Sequence, residues 1–198
     1  MIDPLLVPVP ESFDTKRLRI AVPRPGDGEM LFEAIAESLE DLRRFPASLP
    51  WALSTPCVQS SEAYCRSAYA NFIARKDLPY LLFDRISGAL VGCSGLQRMN
   101  WSVPKFEIGF WCRTSMQAKG FITEAVRGLA SMAFDQLGAQ RVEIFTDEAN
   151  VRSWRVCERA GFTLEGTLRN ERRAPDGSLR HTRVYAKLAA LSQGNDPA

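Results

Sequence analysis

Residues 106–125 read FEIGFWCRTSMQAKGFITEA, a strand pattern that passes through a short loop directly into a helix pattern. Apolar and polar side chains alternate over residues 105–112, as they do in a half-buried strand. From about Lys119 to Leu137 the apolar residues recur at helical spacing, and Gly138 follows them, so a long amphipathic helix is predicted. The first turn of such a helix has unpaired N–H groups and a partial positive charge, which together can bind a phosphate.

The loop before this helix contains residue types that suit a phosphate. Gly120 lets the backbone approach a ligand closely, Ala118 is small, and Lys119 and Arg113 supply positive charge. The loop has neither the Gly-Lys-Ser/Thr ending of a nucleoside-triphosphate loop nor the three glycines of a dinucleotide fingerprint. On residue types alone, a plain loop with a helix-capping glycine remains the alternative to a phosphate site.

Strand and helix patterns surround this segment on both sides. The predicted elements are, in chain order, a strand over 14–22, a helix through Met30 to Leu39, a helix capped by Ser60 or Ser61, strands over 80–85, 90–99 and 105–112, the helix over 119–137, a strand over 141–146, a helix over 150–160, and strands over 162–172 and 179–188. Turns are predicted at Ser87-Gly88 and at Pro175-Asp176-Gly177. This order predicts an α/β fold with a mixed sheet.

Length and composition indicate one ordinary globular domain. The chain has 198 residues, of which 45% are hydrophobic and 24% are charged. We expect a single domain over 1–198, with a core at 13–188 and extensions at 1–12 and 189–198. The formal net charge of +2 gives no general argument for binding nucleic acid or a membrane. Arginines are concentrated in residues 150–183, which favours either a solvated, ion-paired face or a patch that receives an anion.

Cysteine and histidine usage bears on redox compartment and metal binding. Five cysteines without paired short spacings argue against a disulfide framework, and one histidine, His181, excludes a histidine-rich metal site. Residues 1–10 have no basic segment and contain three prolines, so they do not resemble a secretory signal, and no apolar run is long enough to span a bilayer. We therefore expect a cytoplasmic protein with no metal.

Four motifs in the same order resemble the GNAT acetyltransferase superfamily. Gln117 and Gly120 match its acyl-CoA signature, Gln/Arg-x-x-Gly-x-Gly/Ala, which this chain departs from at Ile122. Residues 150–162, NVRSWRVCERAGF, are similar to the family's Asn-x-x-Ser-x-x-x-x-Glu-Lys-x-Gly-Phe helix. Residues 15–18 and 49–51 are similar to the RimJ/RimL branch, whose members acetylate protein N-termini, including those of ribosomal proteins.

The resemblance implies a fold, a cosubstrate and a set of binding residues. It implies a mixed, mostly antiparallel sheet with a splayed central strand pair flanked by helices, and acetyl-CoA as the acyl donor. Asn150 would bind the pantetheine arm or position the donor, and Ser153 would lie near the sulfur. The other donor-binding residues it implies are Phe110, Trp111 and Cys112 for backbone contacts to pantetheine, and Gln117, Ala118, Lys119, Gly120, Phe121, Ile122 and Thr123 around the pyrophosphate.

The resemblance also implies direct attack of the amine on the thioester, with two proton-transfer roles. Many family members protonate the thiolate with a tyrosine in the last helix, but Cys157 occupies that position here. Ser153 is then the candidate acid, with a first-turn helix cap as its alternative role. The candidate bases are Glu107, Glu171 and Glu143, of which the first two are favoured, and each is alternatively a structural ion-pair partner.

A catalytic cysteine is disfavoured because the single histidine is distant in sequence from Cys112 and Cys157. The sequence therefore predicts an N-acetyltransferase whose acceptor is a protein or peptide N-terminus. Two alternatives remain: acetylation of a small amine, such as a polyamine, an amino acid or an antibiotic, and a non-catalytic CoA-binding sensor. An open groove near Trp51 and residues 171–183 would favour a peptide. Relatives of this kind are often homodimers, although the sequence shows no self-complementary patch.

Overall fold

An eight-stranded sheet forms the centre of the structure, a computed structural model that describes residues 3–190. The strands are β1 Ser12–Asp14, β2 Leu18–Ala21, β3 Leu78–Asp84, β4 Leu90–Asn100, β5 Lys105–Cys112, β6 Arg141–Asp147, β7 Thr163–Arg173 and β8 Leu179–Leu188. Their order is β1-β2-β3-β4-β5-β6-β8-β7, and every neighbouring pair is antiparallel except β5 and β6. Residues 1–2 and 191–198, which fall in the predicted extensions, lie outside the described residues.

Four α-helices cover the two faces of this sheet. They are α1 Gly28–Leu42, α2 Val58–Ile73, α3 Phe121–Leu137 and α4 Val151–Arg159, with 3₁₀ helices at Pro4–Leu6, Pro50–Leu53 and Thr114–Met116. Leu81 packs in a cluster with residues of α1 and α2, whereas its neighbours Tyr80 and Leu82 belong to the larger cluster that includes α3 and α4. Since side chains alternate along a strand, α1 and α2 lie on one face and α3 and α4 on the other.

The parallel pair separates soon after it forms. β5 and β6 share three residue pairs, from Lys105↔Arg141 to Glu107↔Glu143. Beyond them β5 stays paired with β4 as far as Cys112, and β6 stays paired with β8 as far as Asp147. The two strands therefore open a V-shaped gap in the middle of the sheet, and Glu107 lies at its apex. The predicted splayed strand pair is confirmed.

Most predicted elements are confirmed, with two corrections near the N-terminus. The strand predicted over 14–22 is the hairpin of β1 and β2, because the backbone N–H of Thr15 donates to the Leu18 carbonyl at 2.8 Å and turns the chain. Helix α2 is capped by Cys57, not by Ser60 or Ser61: Cys57 Sγ accepts from the Ser60 backbone N–H at 3.4 Å, and the Ser60 hydroxyl accepts from the Cys57 N–H.

Candidate active site

The turn from Gln117 to Gly120 delivers the chain from β5 into helix α3. Ala118 and Gly120 both have left-handed backbone conformations, with φ of 60° and 79°. The first helical hydrogen bond runs from the Glu124 N–H to the Gly120 carbonyl at 3.2 Å, so the N–H groups of residues 121–123 have no partner within the helix. The turn and the helix start together form a concave set of donors with the positive end of the helix dipole, which is suited to an anion.

Two long side chains hold this turn in place. Gln117 donates from Nε2 to Asp41 of α1 at 3.0 Å and accepts at Oε1 from Arg152 of α4 at 3.0 Å, so it links the two helices across the turn. Arg17 donates from Nη1 to the Lys119 carbonyl at 2.9 Å. Arg113, which the sequence suggests as a phosphate ligand, pairs through its Nε with the Glu37 carboxylate at 2.5 Å. Lys119 forms no ion pair among the described residues.

Glu124 in the first turn of α3 fastens the N-terminal hairpin to this site. Its carboxylate accepts from the Thr15 hydroxyl at 2.7 Å, from the Arg17 N–H at 2.7 Å and from Arg17 Nε at 2.6 Å. Burial alone would raise the pKa of Glu124, but the hydrogen bonds from Thr15 and Arg17 outweigh it and lower that pKa below its ordinary value. Arg17 is thereby oriented to hold the turn, a role that local sequence patterns do not reveal.

The edge of β5 that faces the gap carries the predicted pantetheine-binding residues. The side chains of Phe110 and Cys112 pack toward α3, whereas Trp111 points to the opposite face and contacts Trp51, with ring centroids 6.3 Å apart. On the side that faces β6, the backbone of β5 has no strand partner beyond Glu107. Burial raises the pKa of the Cys112 and Cys157 thiols to about 12, so neither is a ready thiolate nucleophile.

Helix α4 begins where β6 ends, on the α3 side of the gap. Asn150 caps it, because its Oδ1 accepts a hydrogen bond from the Ser153 N–H at 3.2 Å. Ser153 is therefore not the cap, and its hydroxyl forms no hydrogen bond with residues 3–190. Asp147, buried at the end of β6, accepts two bonds from Arg180 of β8 at 2.9 and 2.7 Å. This ion pair anchors the strand end from which α4 departs.

We expect Asn150→Ala to lower the free energy of unfolding by about 1 kcal/mol, because a first-turn N–H loses its acceptor. Asn150→Asp keeps the acceptor oxygen and adds a charge that the helix dipole favours, so it should stay within a few tenths of a kcal/mol of the wild type. Urea unfolding of both variants measures the difference. Equal losses in the two variants would contradict a capping role.

Glu107 differs from the other two candidate bases in its surroundings. It is 5% exposed, and because Phe106 and Ile108 face α3, its side chain lies on the α1 and α2 face. Oε1 accepts from Gln97 at 2.7 Å, while Oε2 is buried without a hydrogen-bond partner, although Arg98 Nη1 lies 3.2 Å away in poor geometry. Burial raises the pKa of Glu107, with the Gln97 hydrogen bond and the charges of Arg98 and Arg172 opposing it.

The other two carboxylates each contact two partners as well. Glu143, paired with Glu107 across the strands, contacts Arg141 at 2.8 Å and Lys105 at 3.3 Å. Glu171 of β7 accepts from the Thr182 hydroxyl at 2.7 Å and from the neighbouring Arg172 at 2.9 Å. Of the three, only Glu107 has a buried oxygen that lacks a hydrogen-bond partner within the described chain.

The α1 and α2 side of the gap is bordered by a loop and a hairpin. Trp51, in the 3₁₀ helix between α1 and α2, is 43% exposed, and Leu168 of β7 is exposed as well. Arg172 of β7 donates to the Ser48 hydroxyl at 3.3 Å and joins the hairpin to the loop. These elements leave an exposed, partly apolar border on this side of the sheet.

Sequence analysis missed three polar side chains on the opposite side of the gap. Besides Glu107 Oε2, the buried side-chain atoms without a hydrogen-bond partner in residues 3–190 are Thr146 Oγ1, Trp154 Nε1 and Arg183 Nε. They come from β6, α4 and β8, so no local motif unites them. Within the same residues, no helix has the length and apolar character needed to cross a membrane, and no group of three potential metal ligands is found.

Comparison with known proteins gives consistent matches over most of the chain. A profile described as "Acetyltransferase (GNAT) domain" matches residues 17–163. The protein named "Putative ribosomal N-acetyltransferase YdaF" from Bacillus subtilis (strain 168) is 30% identical over 184 residues, which cover 87% of this chain and 91% of that protein.

Solved structures match over similar lengths. One described as "Probable acetyltransferase" has a TM-score of 0.80 at 26% identity, covering 89% of this chain and 96% of that one. The microcin C7 self-immunity acetyltransferase MccE, solved with acetyl-CoA and AMP, has a TM-score of 0.78 at 20% identity, covering 88% and 93%, and this similarity concerns the fold alone.

Proposed function

The chain belongs to the GNAT acetyltransferase family, and from that premise we propose that it transfers the acetyl group of acetyl-CoA to the α-amino group of a protein or peptide N-terminus. The observation that carries this proposal is the position of two features around one gap. A turn suited to an anion, residues 117–123, lies at the α3 side of the gap, and a buried carboxylate, Glu107, lies at its apex on the other face, with one oxygen that accepts no hydrogen bond.

The donor would bind along the α3 and α4 side of the sheet. The turn and the first N–H groups of α3 suit its pyrophosphate, and Lys119 adds a positive charge without a carboxylate partner in the described chain. The unpaired edge of β5 at residues 110–112 offers backbone groups to the amides of the pantetheine arm. Asn150 uses its side-chain oxygen for the helix cap, which leaves its amide N–H groups for the same arm. The solved complex of MccE with acetyl-CoA supports this use of the fold.

The acceptor amine would approach from the α1 and α2 face. The amine nitrogen attacks the thioester carbon, the C–N bond forms, the C–S bond breaks, and the nitrogen loses one proton. Glu107 is suited to take that proton, directly or through one water, because its buried Oε2 lacks a hydrogen bond. The Ser153 hydroxyl, which also lacks a partner among the described residues, is suited to give a proton to the departing thiolate.

A protein N-terminus is the favoured acceptor. The border formed by Trp51 and the β7–β8 hairpin is exposed and partly apolar, which suits an extended peptide better than a small cation. The name of the B. subtilis relative points the same way. A polyamine would instead require a closed, acid-lined pocket, whereas Arg98 and Arg172 both lie near Glu107.

The test is acceptor-dependent release of free thiol from acetyl-CoA. Peptides of six to eight residues, each with a different first residue, are compared with the same peptides carrying a blocked N-terminus and an internal lysine, and with spermidine. We expect kcat/KM to be at least about tenfold higher for a free than for a blocked N-terminus. Equal rates on both peptide forms, or turnover with spermidine alone, would overturn the proposed acceptor. Tight acetyl-CoA binding without turnover on any amine would favour a non-catalytic sensor.

A further inference from the structure

A bulge in β4 brings two consecutive side chains to Glu107. Over this stretch β4 uses residues 97–100 where β5 uses only 105–107, so β4 contains one extra residue. Arg98 lies in the bulge with a left-handed backbone, φ of 48°, which costs free energy for a residue other than glycine. In a regular strand Gln97 and Arg98 would point to opposite faces. Here Gln97 donates to Oε1 of Glu107, and Arg98 Nη1 lies 3.2 Å from its Oε2.

The Arg98 side chain extends over the start of the gap between β5 and β6. Phe145 follows Glu143 on β6 by two positions, so it shares the face of Glu107 and lies beyond the last pair with β5. The central guanidinium carbon of Arg98 lies 6.0 Å from the centroid of the Phe145 ring. The Arg98 side chain is 67% exposed. Its charge therefore faces the opening through which the acceptor is proposed to reach Glu107.

The donors of Arg98 are available to a ligand. Its contact with Glu107 lacks hydrogen-bond geometry, because Oε2 of that carboxylate accepts no hydrogen bond within the described chain. Arg172, the other arginine that acts on the charge of Glu107, is already engaged. It donates to Glu171 at 2.9 Å and to the Ser48 hydroxyl at 3.3 Å. A guanidinium has five N–H donors and no acceptor, so the complement of Arg98 is an anionic oxygen, best a carboxylate.

We propose that Arg98 binds a carboxylate carried by one of the first two residues of the acceptor, an inference that rests on the proposed function. Consecutive Cα atoms are about 3.8 Å apart, so a peptide whose amine reaches Glu107 brings these two side chains close to the adjacent guanidinium. When Glu107 takes the proton of the amine, it loses the negative charge that faces Arg98. A carboxylate of the acceptor then compensates the charge of Arg98. The preferred acceptors are therefore acidic N-termini.

Paired peptides test the proposal, because asparagine has the size of aspartate without its charge. Short peptides with an amidated C-terminus carry aspartate or asparagine at position 1 or 2, so the varied side chain supplies the only carboxylate. At one of these positions we expect wild-type kcat/KM to be about fivefold to tenfold higher for the aspartate peptide. Arg98→Gln should reduce this ratio to less than about twofold, whereas Arg98→Lys keeps the charge and should retain at least about half of it. The ratio cancels any effect of a variant on Glu107 or on the donor, because both peptides of a pair share it.

Arg66→Gln is the matched control, because Arg66 is 65% exposed and pairs with Glu62 of its own helix, α2. This variant should keep the wild-type ratio within about twofold. Equal kcat/KM for the two peptides of every pair, in a wild type that requires a free N-terminus, would overturn the inference and leave the proposed function standing. A ratio that survives Arg98→Gln would do the same. Faster turnover of free alanine than of any aspartate peptide would assign the carboxylate to an amino-acid acceptor and overturn the inference together with the proposed acceptor. Absence of turnover on every free N-terminus would overturn both as well.

Discussion

Gly120→Glu is expected to weaken acetyl-CoA binding by at least about 100-fold, the largest single effect on the donor site. Gly120 has φ of 79°, a conformation that side chains other than glycine's adopt at a cost. A carboxylate at this position would add negative charge directly before the first turn of α3, where the pyrophosphate is proposed to bind. Titration calorimetry with CoA and acetyl-CoA measures the loss for both ligands.

Gly138→Glu is the matched control, because Gly138 ends the same helix in the same left-handed conformation. Its φ is 65°, and a Cβ there would meet nothing within 4 Å. Both variants strain the backbone, but only one places charge at the anion site, so Gly138→Glu should bind acetyl-CoA within about twofold of the wild type. Gly120→Gln carries the strain without the charge and should lie between them. Similar losses at both ends of the helix would argue for a general folding defect and against a phosphate site at Gly120.

The elements around this site were largely predictable because periodicity and turn residues are local signals. Strands β5 and β8 begin and end where alternation predicts, and Gly138 closes α3 as expected. The N-terminal hairpin was not predictable from these signals. Its turn at Thr15–Arg17 is held by Glu124, which lies more than a hundred residues further along the chain. Alternation through residues 14–22 gives no sign of such a distant partner.

The candidate site also contains residues that local motifs predict and others that only contacts between distant elements reveal. Residues 117–123, 150 and 153 could be predicted as donor-binding residues because they follow one another in two short motifs. The sequence favoured Glu107 and Glu171 but could not choose between them, since Gln97 and Arg98 of β4 and Thr182 of β8 decide which carboxylate oxygen is engaged. Thr146, Trp154 and Arg183 were missed for a related reason: they come from three elements, and only the pairing of β6 with β8 brings Thr146 beside Arg183.

Glu107→Gln is expected to lower kcat by about 100-fold to 1,000-fold with the best peptide acceptor, because the amide cannot accept the proton. Acetyl-CoA binding should change less than twofold, since the side chain faces away from α3 and α4. Glu171→Gln is the control, because its carboxylate is already bonded to Thr182 and Arg172. That variant should retain at least about one fifth of wild-type kcat. A larger loss at Glu171 than at Glu107 would transfer the role of the base to Glu171.

The pH dependence provides the second test of Glu107. A base acts when deprotonated, and burial raises the pKa of this carboxyl, so wild-type kcat should fall as the pH drops through that raised value. Glu107→Gln should lose this limb of the profile. The same shift fixes the sign for stability: a raised folded-state pKa stabilises the protein below the unfolded pKa, and this contribution is lost as the pH rises through the folded value. At neutral pH the variant should therefore be no less stable than the wild type. A large loss of kcat in an equally stable variant that still binds acetyl-CoA would separate proton transfer from folding and donor binding.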